Sequence, residues 1–324
     1  MAIYTPVTQT KYLPQGLFAQ QKFAALMASG AVDVATLDIT KKGGEFVNIP
    51  KYVQAASFTR VPISTVSAAG FTAFATNDGK VPVLRDSSNN KWYKHQLALA
   101  AEDFGQKVAM TIGNKLACRA INVMDYSMQG LINTATGLNH LYDTSALATK
   151  TLTVLAVQEA RAKMGDQADQ LHTILIHSKP WNSLIKDLIS TYKYAGLWSG
   201  EMINNGQIET LLGCRNIVVT DCLTPEAGAT SSAGDDLYYT WLLTDGALYM
   251  AYQQEPYVDG WEDPTNADTI HYEKVALDYV AAPRAGYFNT ANPTDANLLT
   301  SGLWATAYED HRNLGIVAVK SLNG

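Results

Sequence analysis

Cysteine is scarce in this sequence, and its spacing excludes two classes of small scaffold. The 324 residues include three cysteines, Cys118, Cys214 and Cys222, and no two of them form a CxxC pair. Disulfide frameworks use dense, even sets of cysteines, and structural zinc sites use closely spaced pairs. We therefore expect buried thiols, without a disulfide framework or a zinc site.

Charge and long apolar runs are also limited. Charged residues make up 17% of the chain, the formal net charge is -6, and Lys41–Lys42 is the one adjacent pair of Lys or Arg residues. Because tight DNA binding needs Lys and Arg to release counterions from phosphates, we expect no specific nucleic-acid recognition. Apolar runs such as Ala247–Tyr252 are too short to span a membrane, and Met1–Leu13 lacks the pattern of a secretory signal. We expect a soluble, cytoplasmic chain.

Hydrophobic residues make up 47% of the sequence, which is enough apolar material for one large domain or two smaller ones. Residues 1–43 have the pattern of an arm that contains one short helix. Residues 44–95 have the pattern of an extended β-loop with a turn at Asn77–Gly79. An amphipathic helix is predicted from Leu97 to Ile132, with Gly137 as its terminator.

The second half alternates helices and strands. Leu152–Met164 has helical periodicity, the continuous apolar run Leu171–Ile176 is typical of a buried strand, and Ser178 is the predicted N-cap of the next helix. Thr269–Ala281 alternates along its length and predicts one long strand. Shorter strands are predicted at Ile208–Leu212, Ile217–Thr220, Leu237–Leu243, Leu248–Tyr252 and Leu314–Val319. A turn at Thr244–Gly246 joins two of them.

Histidine offers the first candidates for chemistry. His172 and His177 are five residues apart in a predicted strand. Their side chains therefore point to opposite faces and cannot share one metal ion. His177, Ser178 and Asp166 have the residue types of a hydrolytic triad. However, no GxSxG elbow surrounds the serine, and its position is explained by a helix cap.

Acidic pairs and glycines offer the remaining candidates. Asp235–Asp236 and Glu262–Asp263 could bind a cation or act as paired carboxylates, but both lie in predicted loops without a nearby histidine, where solvated charge is the simpler interpretation. Gly196, Gly200 and Gly206 have neither GxGxxG nor GKS/T spacing. We predict no catalytic residue, no cofactor and no metal ligand.

Tyrosine is abundant, with 17 residues, many of them in the later strands and loops. Interfaces are enriched in tyrosine because it buries a large ring while its hydroxyl stays hydrogen-bonded. Half-buried strands favour aromatic residues as well. Both interpretations remain open at this point.

The most specific stretch of the chain carries a family resemblance. Met164–Gln167 and Ile174–Ser178, followed by Leu184 and Leu188–Ile189, are similar to an "lGD … ivmHS … L … LI" run in one family of phage coat proteins. Leu211–Gly213, Ile217–Asp221 and Tyr239–Ala247 continue that pattern in order. From residue 44 onward, the chain resembles the tailed-bacteriophage major capsid proteins, whose fold is shared with encapsulins and the herpesvirus capsid floor.

The resemblance implies an α+β fold with a central mixed sheet and a long spine helix. In that fold, residues 1–43 would be the N-terminal arm and 44–95 an extended loop that lies over a neighbouring subunit. The remaining segments would be a peripheral domain with the spine helix (96–169), an axial domain (170–259), a long peripheral strand (260–290) and a return to the axial domain (291–324). The resemblance identifies no residues for a covalent cross-link.

The implied function is structural and not enzymatic. The chain would assemble as hexamers and pentamers of itself into an icosahedral virion shell around double-stranded DNA, inside the host cytoplasm. A separate scaffolding protein is implied because no long N-terminal extension is present, and a portal protein and a cement protein are further expected partners. An encapsulin-like compartment is the alternative within this fold. A hydrolase or sugar-binding domain built on the acidic loops is the alternative from another class.

Overall fold

A computed structural model of the chain describes residues 21–33, 46–52, 76–93, 104–192, 213–226, 236–263, 270–308 and 311–322. Most of the expected arm, the segment between residues 52 and 76, and the predicted strand Ile208–Leu212 lie outside the described residues. The described part is a mixed α+β structure, as predicted.

The helices and strands follow the predicted order. The α-helices are α1 Gln21–Ala28, α2 Phe104–Ile132, α3 Val154–Ala162, α4 Ser178–Tyr192 and α5 Asp295–Leu299. The strands of the first half are β1 Val32–Asp33, β2 Phe46–Tyr52, β3 Thr76–Pro82, β4 Leu84–Tyr93 and β5 Leu141–Asp143. The later strands are β6 Leu171–Ile176, β7 Asn216–Val219, β8 Leu237–Thr244, β9 Leu248–Asp263, β10 Ile270–Pro283, β11 Gly286–Phe288, β12 Trp304–Thr306 and β13 Ile316–Leu322. Short 3-10 turns occupy Gly137–His140, Gly165–Gln170, Ser301–Leu303 and His311–Leu314.

Two long antiparallel strands form the centre of a four-stranded sheet with the order β1-β9-β10-β4. β10 is the strand predicted by the alternation of Thr269–Ala281, and it pairs with β9 on one side and β4 on the other. Its residues Leu277 and Tyr279 are buried in the main hydrophobic core, which also contains residues of α2. The partner strand β9 is longer than predicted and continues to Asp263.

A five-stranded mixed sheet with the order β5-β13-β8-β6-β7 forms the second unit. It is buried on both faces. Along β8, Trp241 packs into the core that contains α2, whereas Leu242 packs into a second core with α3 and α4. Along β13, Ala318 and Val319 alternate in the same way. Burial on both faces explains why these strands are continuous apolar runs in the sequence.

Helix α2 lies between the two sheets. The predicted amphipathic stripe underestimates its burial, because no side chain from Ala120 to Ile132 is exposed. Its last turns also contact α5 and β12: Trp304 is buried there and donates its indole N–H to the Leu298 carbonyl oxygen at 2.7 Å. Gly130 makes this approach possible, since a Cβ at its position would lie 2.1 Å from the Leu298 carbonyl oxygen.

The predicted turn at Asn77–Gly79 is wrong. These residues lie within β3 and pair with Ile49–Lys51 of β2 in a two-stranded hairpin. Strand β2 continues through Pro50, which a two-stranded hairpin tolerates because a strand with one neighbour can leave the missing N–H on its open edge. The connection between β2 and β3 therefore lies before the local turn signal, between residues 52 and 76.

The predicted role of Gly137 is also wrong. Helix α2 ends at Ile132, where the Thr134 hydroxyl donates to the Leu131 carbonyl oxygen at 2.7 Å and accepts from the Gly137 N–H at 3.1 Å. A Cβ on Gly137 would lie 2.3 Å from the Leu131 carbonyl oxygen. The glycine is required because this turn folds tightly back onto the helix end.

The turn Thr244–Gly246 connects β8 to β9, but these strands do not pair with each other. β8 belongs to the five-stranded sheet and β9 to the four-stranded sheet, so the chain crosses between the two units here. The expected axial segment 170–259 therefore contains strands of both sheets. The five-stranded sheet also contains β5, from the expected peripheral segment 96–169. Its strand β13 comes from segment 291–324, which was expected to return to the axial domain.

Among the described helices, none combines the length and the apolarity that a membrane crossing requires.

The close approach at Gly130 generates a prediction. Gly130→Ala should lower the free energy of unfolding by roughly 1–3 kcal/mol through overpacking, even though alanine favours an exposed helix by about 1 kcal/mol. Gly302→Ala is the matched control, because a Cβ there meets no atom within 4 Å. Urea unfolding followed by tryptophan fluorescence measures both variants, and equal stability of the two would contradict the packing at Gly130.

Candidate functional site

The histidine predicted to lie near a serine acts as a helix cap. His177 follows β6, and its Nδ1 accepts the Lys179 backbone N–H at 3.1 Å at the start of α4. The sequence predicted Ser178 as the cap of this helix, and that prediction is wrong because the cap is His177. The helix begins one residue earlier than the Ser178 cap requires, so the preceding side chain reaches the free N–H groups. Burial lowers the pKa of His177, which favours the neutral ring that can accept this hydrogen bond.

His177, Ser178 and Asp166, which were considered as a hydrolytic triad, do not come together. His177 Nε2 lies 3.8 Å from Asp221, whereas Asp166 pairs with Arg312 at 3.0 Å. His172 stays within β6, one residue after its start. Ser178 is thus not flanked by a histidine that Asp166 orients.

The two acidic pairs lie in different units. Asp236 precedes β8 of the five-stranded sheet and lies 3.4 Å from Lys179, whereas Glu262–Asp263 ends β9 of the four-stranded sheet. Asp235 and the glycines at 196, 200 and 206 lie outside the described residues. Across the described ranges, no three His, Cys, Asp or Glu residues are grouped as metal ligands would be.

The polar groups that the structure does bring together lie along α2 and at the residue after its end, and we call them the α2 junction: Cys118, Arg119, Asp125, Gln129 and Asn133. They connect the helix to both sheets. Cys118 is the one member that stands out in the sequence, because the partners of the others are far away along the chain.

Arg119 joins α2 to the four-stranded sheet and to α5. Its guanidinium donates to both carboxylate oxygens of Asp86 in β4, at 3.0 and 3.1 Å. It also donates to both oxygens of Asp295 in α5, each at 2.7 Å. The Tyr279 hydroxyl of β10 donates to Asp86 at 2.6 Å. Hydrogen bonds to Asp295 and then Asp86 raise the pKa of Arg119, so the group is a fixed positive charge.

Asp125 joins α2 to the five-stranded sheet. Its carboxyl group is buried and accepts the Trp241 indole N–H of β8 at 2.7 Å and the Gln129 side-chain amide at 3.0 Å. A backbone hydrogen bond with Thr224 adds the loop that follows β7. Burial raises the pKa of Asp125 to about 7, against the effect of these hydrogen bonds.

A third set of contacts extends the junction toward β13. The Asn133 side-chain amide donates to the Tyr239 hydroxyl at 3.3 Å, and that hydroxyl donates to Glu226 at 3.1 Å. Glu226 also forms an ion pair with Lys320 of β13. Burial raises the pKa of Tyr239, so its phenol stays protonated and available as a donor.

A disulfide completes the junction, and it corrects the prediction that the cysteines are buried thiols. Cys118 of α2 is bonded to Cys222 in the loop after β7, although 104 residues separate them in the sequence. Cys214 does remain a buried thiol, and burial raises its pKa to about 11. The odd number of cysteines was therefore compatible with one structural bond.

Several large apolar side chains remain on the surface of the isolated subunit. Leu155 is 67% exposed at the start of α3, and Trp261 is 52% exposed near the end of β9, where its ring stacks on Tyr272. Leu138, Leu147 and Ile189 are exposed as well. Single apolar side chains on a surface are normal, and a contiguous patch is what would indicate a contact surface.

Comparison with known proteins identifies a family for this architecture. Residues 64–317 match the family model described as "Gp13-like: Major capsid protein 13-like". No curated protein matches the chain. The solved structures with similar folds include several phage capsids.

Three of those structures illustrate the likeness. The capsid of Ralstonia phage GP4 superposes with a TM-score of 0.58 at 9% identity, covering 90% of this chain and 87% of that one. The capsid of cyanophage Pam1 gives 0.56 at 12% identity, with 88% and 87% covered. The mature capsid of bacteriophage PhiM1 gives 0.53 at 12% identity, with 90% and 85% covered. At these identities the likeness concerns the fold.

The paired carboxylates around Arg119 generate a second prediction. Arg119→Lys should lower the free energy of unfolding by roughly 1–3 kcal/mol, because an ammonium group cannot donate to both carboxylates in the two-pronged geometry of arginine. Arg85→Lys is the matched control, since Arg85 pairs with Asp278 in the same bidentate way but its side chain is 76% exposed. That control should cost less than about 1 kcal/mol. Equal losses in urea unfolding would show that Arg119 is an ordinary surface ion pair.

The buried carboxyl of Asp125 generates a prediction about pH. Its pKa of about 7 in the folded protein lies above the ordinary value of an unfolded aspartate, so the folded state retains the proton longer as pH rises. The contribution of this group to stability is therefore complete at low pH and is lost as pH rises toward and through 7. Between pH 5 and pH 8, the wild type should lose roughly 2–3 kcal/mol relative to Asp125→Asn.

Unfolding curves of wild type and Asp125→Asn across that range test this prediction. The asparagine keeps an acceptor for the Trp241 indole, and Gln129 can rotate its amide to face the new NH₂ group. Asp169→Asn is the control, because the Asp169 side chain is fully exposed. A constant difference between wild type and Asp125→Asn at all pH values would contradict a titrating buried carboxyl.

Proposed function

Because the chain belongs to the 13-like family of major capsid proteins, we propose that it builds the icosahedral shell of a tailed phage around double-stranded DNA. The chain is a structural subunit of a phage capsid. The observation that carries the proposal is the family match over residues 64–317, and the described fold agrees with phage capsids along about nine-tenths of the chain.

The arrangement of the described polar groups fits a structural role. Two of them connect elements of one subunit: Arg119 bridges β4 and α5, and Asp125 bridges β8 and the loop after β7. Two residues considered for hydrolysis have different partners: His177 lies near Asp221, and Asp166 pairs with Arg312. We propose that the protein has no catalytic residues, no bound cofactor and no metal site.

The proposed partners begin with copies of the same chain in hexamers and pentamers. The exposed Leu155 and Trp261 lie on the five-stranded and four-stranded units respectively, so each unit offers apolar surface for a neighbour. A separate scaffolding protein, a portal protein at one vertex and a cement protein are further proposed partners. Packaged DNA would lie close to the shell without specific binding, since the net charge of -6 gives little attraction for phosphates.

The two sheets supply a structural basis for the proposed domains. The five-stranded sheet with α3 and α4 would be the axial domain, and the four-stranded sheet with α2 would be the peripheral domain. The hairpin β2–β3 would be the base of the extended loop that lies over a neighbouring subunit. In this proposal the chain is a virion component that assembles in the host cytoplasm and does not bind membranes.

Negative-stain imaging of the purified protein tests the proposal. Closed particles of uniform size are expected, and nuclease-resistant DNA of genome length should be present in particles from infected cells. A co-purifying enzyme in place of DNA would indicate an encapsulin-like compartment. A chain that stays monomeric at high concentration would overturn the assignment to a shell and favour a hydrolase or sugar-binding domain.

The extended loop generates the prediction that separates folding from assembly. Replacing Ser57–Thr76 by a Gly-Ser linker should leave the subunit folded, because this segment is rich in small polar residues, but should abolish stable shells. Capsid interfaces are large and obligate, so the lost contact area cannot be replaced elsewhere. Circular dichroism reports the fold and sedimentation the assembly. Intact shells would contradict the role of the loop, and unfolding would show that it belongs to the core.

A further inference from the structure

We propose that the Cys118–Cys222 disulfide is a redox lock that closes after the shell has assembled and fixes the two sheets of each subunit to one another. The inference rests on the proposed function, because it assumes assembly in a reducing cytoplasm followed by release from the cell. Proteins in the cytoplasm keep their cysteines reduced, whereas a released particle is exposed to oxidants. The bond and its place in the fold therefore imply a change of state during the life of the particle.

The position of the bond explains what it would lock. Cys118 lies on α2, whose other face is tied to the four-stranded sheet through Arg119 and Asp86. Cys222 lies in the loop that leaves β7, the edge strand of the five-stranded sheet. The bond therefore adds a covalent link between two units that the chain also joins at the turn Thr244–Gly246, between β4 and β5, and between β10 and β13.

The thiols are held near each other by contacts that do not need the bond. Asp125 lies two turns after Cys118 on the same face of α2, and it binds both Trp241 and the backbone of Thr224. Leu223 is buried in the same core, and the Cys222 N–H donates to the Thr220 hydroxyl at 3.2 Å. The loop is thus anchored on both sides of Cys222. We infer that the reduced subunit folds and assembles with the two sulfur atoms already adjacent.

The free cysteine is excluded from this chemistry by its position. Cys214 lies in the core on the opposite face of the five-stranded sheet, with Leu171 and Ile174, whereas Cys222 lies in the core that contains α2. The sheet separates the two sulfur atoms. Oxidation would therefore give one product, and thiol–disulfide exchange with Cys214 is blocked.

The proposed step needs an oxidant, which we assign to the class of low-molecular-weight disulfides such as oxidised glutathione. Cys118 is the more accessible partner, because it is half-buried and Cys222 is 7% exposed. Its thiolate attacks one sulfur of the oxidant and releases one reduced thiol. The Cys222 thiolate then attacks the Cys118 sulfur of the mixed disulfide and releases the second. Two protein thiols lose two protons and two electrons, and the oxidant becomes two thiols.

The timing of the bond is tested by trapping thiols at lysis. Cells that contain assembled particles are opened in excess N-ethylmaleimide, and the peptides with Cys118 and Cys222 are analysed by mass spectrometry. In particles trapped at lysis, we expect both cysteines to carry the label. In a parallel sample that is treated with oxidised glutathione before N-ethylmaleimide, we expect neither to carry it. A fully formed disulfide at lysis would overturn the lock and make the bond part of folding.

The effect of the bond is tested by heating particles with and without a reductant. Oxidised wild-type shells should melt roughly 5 °C or more above reduced shells, because the bond closes a loop of 104 residues. Cys222→Ser should assemble into normal shells that melt like the reduced wild type and do not respond to reductant. Cys214→Ser is the control and should keep the response. Cys118→Ser replaces Cys222→Ser if that variant does not fold.

The outcomes separate this inference from the proposed function. Closed particles in negative stain from both wild type and Cys222→Ser support the shell, whatever the redox result. Equal melting temperatures of oxidised and reduced wild-type shells would overturn the lock and leave the capsid assignment intact. If Cys118→Ser and Cys222→Ser both fail to assemble while wild-type shells form, the bond is needed before assembly. That result also overturns the redox lock.

Discussion

A helix that packs between two sheets cannot place its polar side chains in water, and this constraint on α2 shapes the rest of the structure. From Ala120 to Ile132 no side chain is exposed. A buried polar group without a partner costs more free energy than a typical hydrogen bond returns. Asp125 and Asn133 therefore find partners on β8 and on the loop after β7, and the Gln129 side chain donates to Asp125. These contacts fix where the five-stranded sheet lies on the helix, and the hydrogen bond from Arg119 to Asp86 fixes the four-stranded sheet.

The strands that the sequence predicts best are those buried on both faces. Leu171–Ile176 has the predicted bounds, and Leu237–Leu243 extends by one residue to become β8. Because both faces of this sheet are covered, the pattern is a continuous apolar run that no neighbouring loop resembles. The alternation of Thr269–Ala281 was equally informative about the existence of β10, which spans Ile270–Pro283. Strand identity is thus a local property that the sequence contains.

Strand pairing is not local: the predicted turn at Asn77–Gly79 was wrong, and the confirmed turn at Thr244–Gly246 does not reveal which strands pair. Asn77–Gly79 and Thr244–Gly246 are both good turn sequences, yet the first lies within a strand and the second joins strands of different sheets. β8 pairs with β6 and β13, whereas β9 pairs with β1 and β10. The choice of partner depends on surfaces that are distant in the sequence. The same limit applies to the α2 junction, where Asp125 and Trp241 are 116 residues apart. The one local signal of the α2 junction was Asp125, an acidic residue within the buried half of α2.

The two sides of α2 are held by different chemistry, and this difference bears on how a shell subunit carries load. The side toward the five-stranded sheet is held by buried contacts and a covalent bond, which salt does not screen. The side toward the four-stranded sheet is held by Arg119, which is partly exposed and forms ion pairs with Asp86 and Asp295. Asp86, one of those carboxylates, lies at the start of β4, directly after the hairpin β2–β3. Because β4 follows that hairpin in the chain, force on the hairpin arrives first at β4. Arg119 and Tyr279 hold Asp86 there, so a charged cluster ties this part of β4 to α2, α5 and β10.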